Sequence, residues 1–190
     1  MPGDANEQGP WGRFYLEHRR ALIAYAAALT GSVDEGMDVI QDVLTRLVAQ
    51  HADPASPRAF VFRCLRNCAA DRARLRCRQG PEASDAALAF LASPSPDRRD
   101  TAAESTERLR AALAHLDDRR REVIVLKVYG ELTFNEIATV LGCPIGTAAS
   151  HYARGIDELR SRIEEEYRNE YRADRTVSCV DARRNAGSGA

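Results

Sequence analysis

Apolar residues recur along almost the whole chain at three- and four-residue steps, and this helical period narrows the available folds more than any other feature. Trp11, Phe14, Tyr15, Leu22, Tyr25 and Leu29 lie on one such stripe, which Gly31 ends. Ser32 with Glu35 three residues later forms a capping box, opening a second helix with the stripe Met37, Ile40, Leu44 and Leu47. Ser56 and Pro57 supply a cap and a preset first turn for a third helix through Phe60, Cys64, Leu65 and Cys68. A run of four apolar residues, Val123 to Leu126, has the length of a buried strand, but no comparable run exists for it to pair with. It reads as a buried helix, and the fold class is all-α.

Residues 79 to 100 hold Gly80, Pro81, Pro94, Pro96 and several serines, the composition of a connector. Within it Ala86 to Leu91 is a mildly apolar island, enough for one helical turn or a partner contact, and otherwise an ordinary stretch of linker. Beyond it Thr101 and Glu104 make a second capping box, ahead of Leu109, Leu113 and Leu116. Asp117 and Asp118 break that helix. Thr133 and Glu136 form a third box, Gly142 ends the short helix that follows, and Thr147 is placed to cap a long last helix through Ile156, Leu159 and Ile163. The reading is two small helical domains, 11–78 and 104–166, joined by an acidic Pro/Ser-containing linker, 79–103. A polar, disordered tail is expected over 167–190.

The formal net charge is −1, but its distribution is uneven. Seven arginines face a single acid between Arg58 and Arg78, whereas residues 79–106 hold five acids and two arginines. A basic helix therefore precedes an acidic connector. No stretch approaches the roughly 18 apolar residues of a membrane span. Residues 1–10, with Asp4 and Glu7, lack the charge and apolar centre of a signal peptide, so a cytoplasmic protein without membrane insertion is expected. The five cysteines, Cys64, Cys68, Cys77, Cys143 and Cys179, show no paired C-x-x-C spacing, and reduced thiols follow. No metal site is expected: Cys64 and Cys68 share a helical face, but no histidine lies near to complete four ligands. With no nucleophile–base pair and no phosphate loop, neither catalysis nor a cofactor is expected.

Thr133 to Leu159 runs as short helix, turn and longer helix, the arrangement that sets a second helix in the DNA major groove. On that second helix Ala148, Tyr152, Ile156 and Leu159 should pack inward, leaving Thr147, Ser150, His151 and Arg154 as candidate DNA contacts. On geometry alone a plain helical hairpin with a solvated polar face fits equally well.

Two regions resemble bacterial sigma factors of the extracytoplasmic-function (ECF) class. Leu116 to Leu126, Leu132 to Ala138, Gly146 to Ser150 and Glu158 to Arg160 look like the family's promoter-binding domain four. Asp38 to Val43, and Pro57 to Asn67 with Asp71 and Arg72, look like its domain two. Together these regions span roughly residues 11–166. The resemblance implies a subunit that binds core RNA polymerase and promoter DNA, with an anti-sigma protein as a further partner the family admits. It implies polymerase docking through Asp38, Gln41, Asp42 and Arg46, a face that charge pattern alone reads as solvated surface. It also places Arg63, Asn67, Asp71, Arg74 and Arg78 at the element for the opened downstream promoter strand. Arginines there suit phosphate, and Asn67 offers both donor and acceptor to a base edge. Departures from the family pattern are Phe60 in place of its usual tryptophan, and Ala148-Ala149 before Ser150, where a basic residue is common. The rival reading is a helix-turn-helix regulator acting without core polymerase, which leaves the pattern of the first domain unexplained.

Overall fold

The computed structural model describes residues 9–52, 54, 56–76, 85–92 and 103–186. These form eight helices: α1 Pro10–Thr30, α2 Val33–Ala49, α3 Pro57–Arg76, α4 Asp85–Ala92, α5 Ala103–His115, α6 Asp118–Val128, α7 Phe134–Leu141 and α8 Ile145–Ala186. The local signals act largely as the sequence predicts. Gly31 closes α1 in the left-handed region (φ 75°), its N–H donating to the Ala27 carbonyl, and the Ser32 hydroxyl accepts from the Glu35 N–H to start α2. Asp117 both breaks α5 and caps α6, accepting from the Arg120 N–H at 2.9 Å. At α7 the capping box is complete, Thr133 and Glu136 each satisfying the other's backbone N–H. Thr101 lies outside the described residues.

α1 is the central element, packing on α2, α3, α4 and α6. Every residue from Ala21 to Ala27 is therefore buried, and a one-sided stripe understates this helix. α2 lies so close to α1 that a Cβ on Gly36 would stand 2.9 Å from the Ala27 nitrogen. This close approach turns α2's buried face toward Val39 and Val43 as well as Ile40 and Leu47, leaving Met37 and Leu44 half-buried. On α3 the buried set is Ala59, Val61, Phe62, Leu65, Cys68 and Ala69, with Phe60 and Cys64 at its edge. Val123 to Leu126 is a buried helical segment of α6.

Three expectations change. First, α8 begins at Ile145, not at a Thr147 cap: the Pro144 carbonyl accepts from the N–H groups of Thr147 and Ala148, so Thr147 sits inside the first turn. Secondly, α8 runs as helix to Ala186, past the Ile163 to which the sequence traced it. Polar composition does not oppose a helix, and between Gly155 and Gly187 there is neither glycine nor proline to stop one. Thirdly, the apolar island in the connector is a two-turn helix, α4, docked on α1 and α5. Leu91 and Ala92 are buried, and the Leu91 carbonyl accepts a hydrogen bond from the Tyr129 hydroxyl.

The N-terminal and C-terminal helices also share one apolar core. α1 packs on α6 and α3 on α7, so the two halves close against each other.

Candidate nucleic-acid interface

α3 supplies the first candidate surface. Its core face is apolar, and its opposite face exposes Arg63, Asn67, Asp71 and Arg74 at steps of three and four. The Asp71 carboxylate accepts from the Arg74 guanidinium at 2.7 Å, which orders both side chains along the helix. Arg78 lies outside the described residues. Asn67 and Asp71 reach a small hollow of about 190 Å³ between α2 and α3, lined also by Arg46, Gln50, Phe60 and Cys64. Burial raises the Cys64 thiol above its ordinary pKa, the nearby Arg63 opposing that shift. The hollow offers an amide, a carboxylate, a guanidinium and an aromatic edge within one concavity.

α2 carries the second set. Asp38, Gln41 and Arg46 are exposed on one side of the helix, with Thr45 and Val48 completing that face. Asp42 differs from them, because its carboxylate accepts from the Arg72 guanidinium of α3. That hydrogen bond is the main reason Arg72 is held above its ordinary pKa. Asp42 thus joins α2 to α3 as well as bordering the surface. Arg46, through the hollow, links this exposed face of α2 to the face of Asn67.

α7 and α8 form the helix-turn-helix. Gly142 closes α7 in the left-handed region (φ 65°), and Cys143 and Pro144 carry the chain into α8. Ala148 and Leu159 are buried, while Tyr152 meets Phe134 edge-on with ring centroids 5.6 Å apart. Where α8 crosses α6, a Cβ on Gly155 would stand 2.8 Å from Ile124 Cδ1. Thr147 and Arg154 are exposed, Ser150 and His151 half-buried, all near the start of the helix. Arg154 has no ion pair among the described residues, in contrast to Arg120, Arg160 and Arg162.

Family models match both halves of the chain. Residues 14–79 match sigma-70 region 2 and residues 106–159 match sigma-70 region 4. The ECF RNA polymerase sigma factor SigL of Mycobacterium tuberculosis is 33% identical over 159 residues, 80% of this chain and 87% of the relative. This chain is an ECF-class sigma factor. Another relative of the sigma factor, EcfG of Rhodopseudomonas palustris, is 29% identical over 164 residues, 84% of the chain and 88% of the relative. Two solved structures share its fold. The sigma factor RpoE of Bartonella quintana, in complex with the anti-sigma factor NepR, has a TM-score of 0.62 at 23% identity and covers 80% of this chain and 95% of its own. CnrH, in complex with the cytosolic domain of CnrY, has a TM-score of 0.55 at 23% identity, covering 85% and 91%. Sigma factors are DNA-binding transcription-initiation factors, and no helix among the described residues is long and apolar enough to cross a membrane.

The structure of the sigma factor also brings together residues that sequence reasoning passed over. Glu122 of α6 is only 7% exposed, and its Oε1 accepts from the Tyr25 hydroxyl of α1 at 2.8 Å and from Arg66 Nε of α3 at 2.9 Å. Arg119 approaches Oε2 at 3.4 Å. Burial, and then the adjacent carboxylate, push the Tyr25 phenol well above its ordinary pKa. Below this cluster a cleft of about 560 Å³ separates Asn67, Ala70 and Arg74 of α3 from Asp118 and Arg121 of α6. An acid immediately before the apolar run 123–126 was the available signal, since an acid on a buried turn requires partners. Its partners lie 56 and 97 residues away, a separation that helical period cannot bridge.

Proposed function

We propose that the sigma factor docks on core RNA polymerase through the α2 face of Asp38, Gln41, Asp42 and Arg46. In this reading α3 then engages the opened downstream promoter strand, and the start of α8 reads the upstream element. The observation that carries it is the exposure pattern of α3: Arg63, Asn67, Asp71 and Arg74 share one solvent face, bordering the hollow that Arg46 also lines. Arginines on that face neutralise phosphate, and the Asn67 amide can pair with a base edge presented by single-stranded DNA. At α8, Thr147, Ser150, His151 and Arg154 approach the major groove, with Arg154 as the main cation. The family resemblance adds Arg78, which lies outside the described residues, to the α3 set.

Bond making is left to the polymerase, and the chain works without a cofactor wherever polymerase and DNA meet, in the cytoplasm. Solved complexes of two structurally similar proteins, RpoE and CnrH, contain NepR, an anti-sigma factor, and the cytosolic domain of CnrY, respectively. A protein of that kind is accordingly a fitting third partner here.

Asn67→Ala tests the assignment of α3. With reconstituted holoenzyme, permanganate reactivity of promoter thymines should fall while polymerase binding stays near wild type. Equal loss of both would assign Asn67 to the packing of the domain instead.

A further inference from the structure

The surface proposed for promoter DNA borders a cleft that the chain closes against itself. Arg66 precedes Asn67 on α3, and its guanidinium is turned to Glu122 of α6, with the Tyr25 hydroxyl on the same carboxylate oxygen. Both walls of the 560 Å³ cleft belong to this contact, so Asn67 and Arg74 look across it at region 4. A second bridge lies at the start of α3, where Arg58 donates to the Gly130 carbonyl and stands 3.8 Å from the Glu131 carboxylate. α4 adds a third, its Leu91 carbonyl held by Tyr129, whose ring lies under the Arg20 guanidinium.

Glu122 is suited to a reversible contact. Buried in the closed form, its Oε1 takes its hydrogen bonds from Tyr25 and Arg66 across the contact, while Oε2 keeps Arg119 of its own helix. If the halves separate, water replaces both partners and the ion pair loses the low-dielectric surroundings that strengthen it. Arg66 would then stand as one more cation beside Arg63 and Asn67.

We infer that the Tyr25–Glu122–Arg66 contact is a latch that holds region 2 against region 4 in the free protein. Once released, Arg66 serves as a further phosphate contact for the promoter strand. The second part rests on the reading of α3 as the DNA face. The first part is independent of that reading.

The test uses the full chain without polymerase. Glu122→Gln removes the charge that Arg66 pairs with, and Tyr25→Phe removes only a hydroxyl while keeping the ring that meets Phe62 at 5.2 Å. Circular dichroism establishes that each variant is folded, X-ray scattering reads the opening, and a fluorescent oligothymidine reads strand binding. The latch predicts a larger radius of gyration for both variants and strand binding about tenfold tighter, a coupling of ordinary allosteric size. With Arg66 freed, the slope of log K against log salt steepens by about 0.7, the value for one single-strand phosphate contact. Adding Arg66→Ala to Glu122→Gln should restore the slope and leave the radius enlarged.

Folded variants with unchanged radius and unchanged strand binding would overturn the latch. An enlarged radius whose salt slope ignores Arg66→Ala would overturn the phosphate role of Arg66. If Asn67→Ala in the opened background also leaves strand binding unchanged, the reading of α3 itself fails, and the scattering result still decides the latch.

Discussion

Arg121 shows how one side chain can hold a junction. Nearly buried, it donates to the carbonyls of Leu113, Ala114 and Leu116, where α5 ends and helical partners run out. Its fourth contact, the Asp118 carboxylate, lies at the surface. Arg121→Ala should destabilise the protein by about 3 kcal/mol, since each lost hydrogen bond to a charged group is worth about 1.5–3 kcal/mol and relaxation recovers part. Urea denaturation measures it; a change below about 0.5 kcal/mol would mean that water satisfies those carbonyls equally well. Thr133 makes a smaller contribution. Its backbone N–H, and then its hydroxyl, hold the Glu136 carboxyl below the ordinary value. A carboxyl depressed by folding stabilises above its unfolded pKa of about 4.3, and that stability is lost as pH falls through the folded value. Thr133→Ala should therefore cost about 1 kcal/mol at pH 7 and progressively less below pH 4. A pH-independent cost would remove Glu136 from the explanation. Caps of this kind were legible beforehand, because they act over three residues. The Arg121 network was not, since its acceptors are carbonyls on the preceding helix.

Helix faces were legible in proportion to how one-sided each helix is. α8 has a single core face, and its period correctly turned Ala148 and Leu159 inward while exposing Thr147 and Arg154. α1 is surrounded, and its stripe understated the burial of Ala21 to Ala27. α2 shows a further limit. Its tight approach at Gly36 is set by the backbone of α1, and Gly36→Ala should cost about 1–3 kcal/mol through overpacking, again by urea denaturation. The proposed docking face needs a cleaner probe than Asp42, since reversal there also breaks the pair with Arg72. Asp38→Arg should leave the melting temperature unchanged and weaken polymerase capture, the reversed charge repelling a basic partner. Normal capture would remove Asp38 from the interface. At the other end, residues 107–166 hold nine basic and eleven acidic side chains, so long-range attraction to DNA is weak and Arg154 matters most. Arg154→Ala should weaken promoter binding by about 1–3 kcal/mol if it reads a base, or flatten the salt slope by about one unit if it contacts phosphate. Ser150→Ala should cost less, and Ala149→Lys should strengthen binding to many sequences alike. An unchanged affinity and slope for Arg154→Ala would take α8 out of the groove.

On the scale of the whole molecule, the order of two family regions across a connector was readable, but their mutual packing was not. Burial periodicity reports that a face is covered without saying by what, and Tyr25 reads the same whether it meets Phe62 or Glu122. Under the proposed function the closed arrangement has a consequence, because a subunit that reads DNA at two places needs both surfaces clear. The central claim is that this chain confers promoter choice on RNA polymerase, and run-off transcription over a promoter library tests it most directly. Core polymerase alone should give no specific transcripts. Adding the chain should give transcripts from a defined subset of promoters, reduced by Asn67→Ala and by Arg154→Ala. No specific transcripts with the chain present, alongside sequence-selective DNA binding that does not require polymerase, would contradict the account and favour a regulator acting alone.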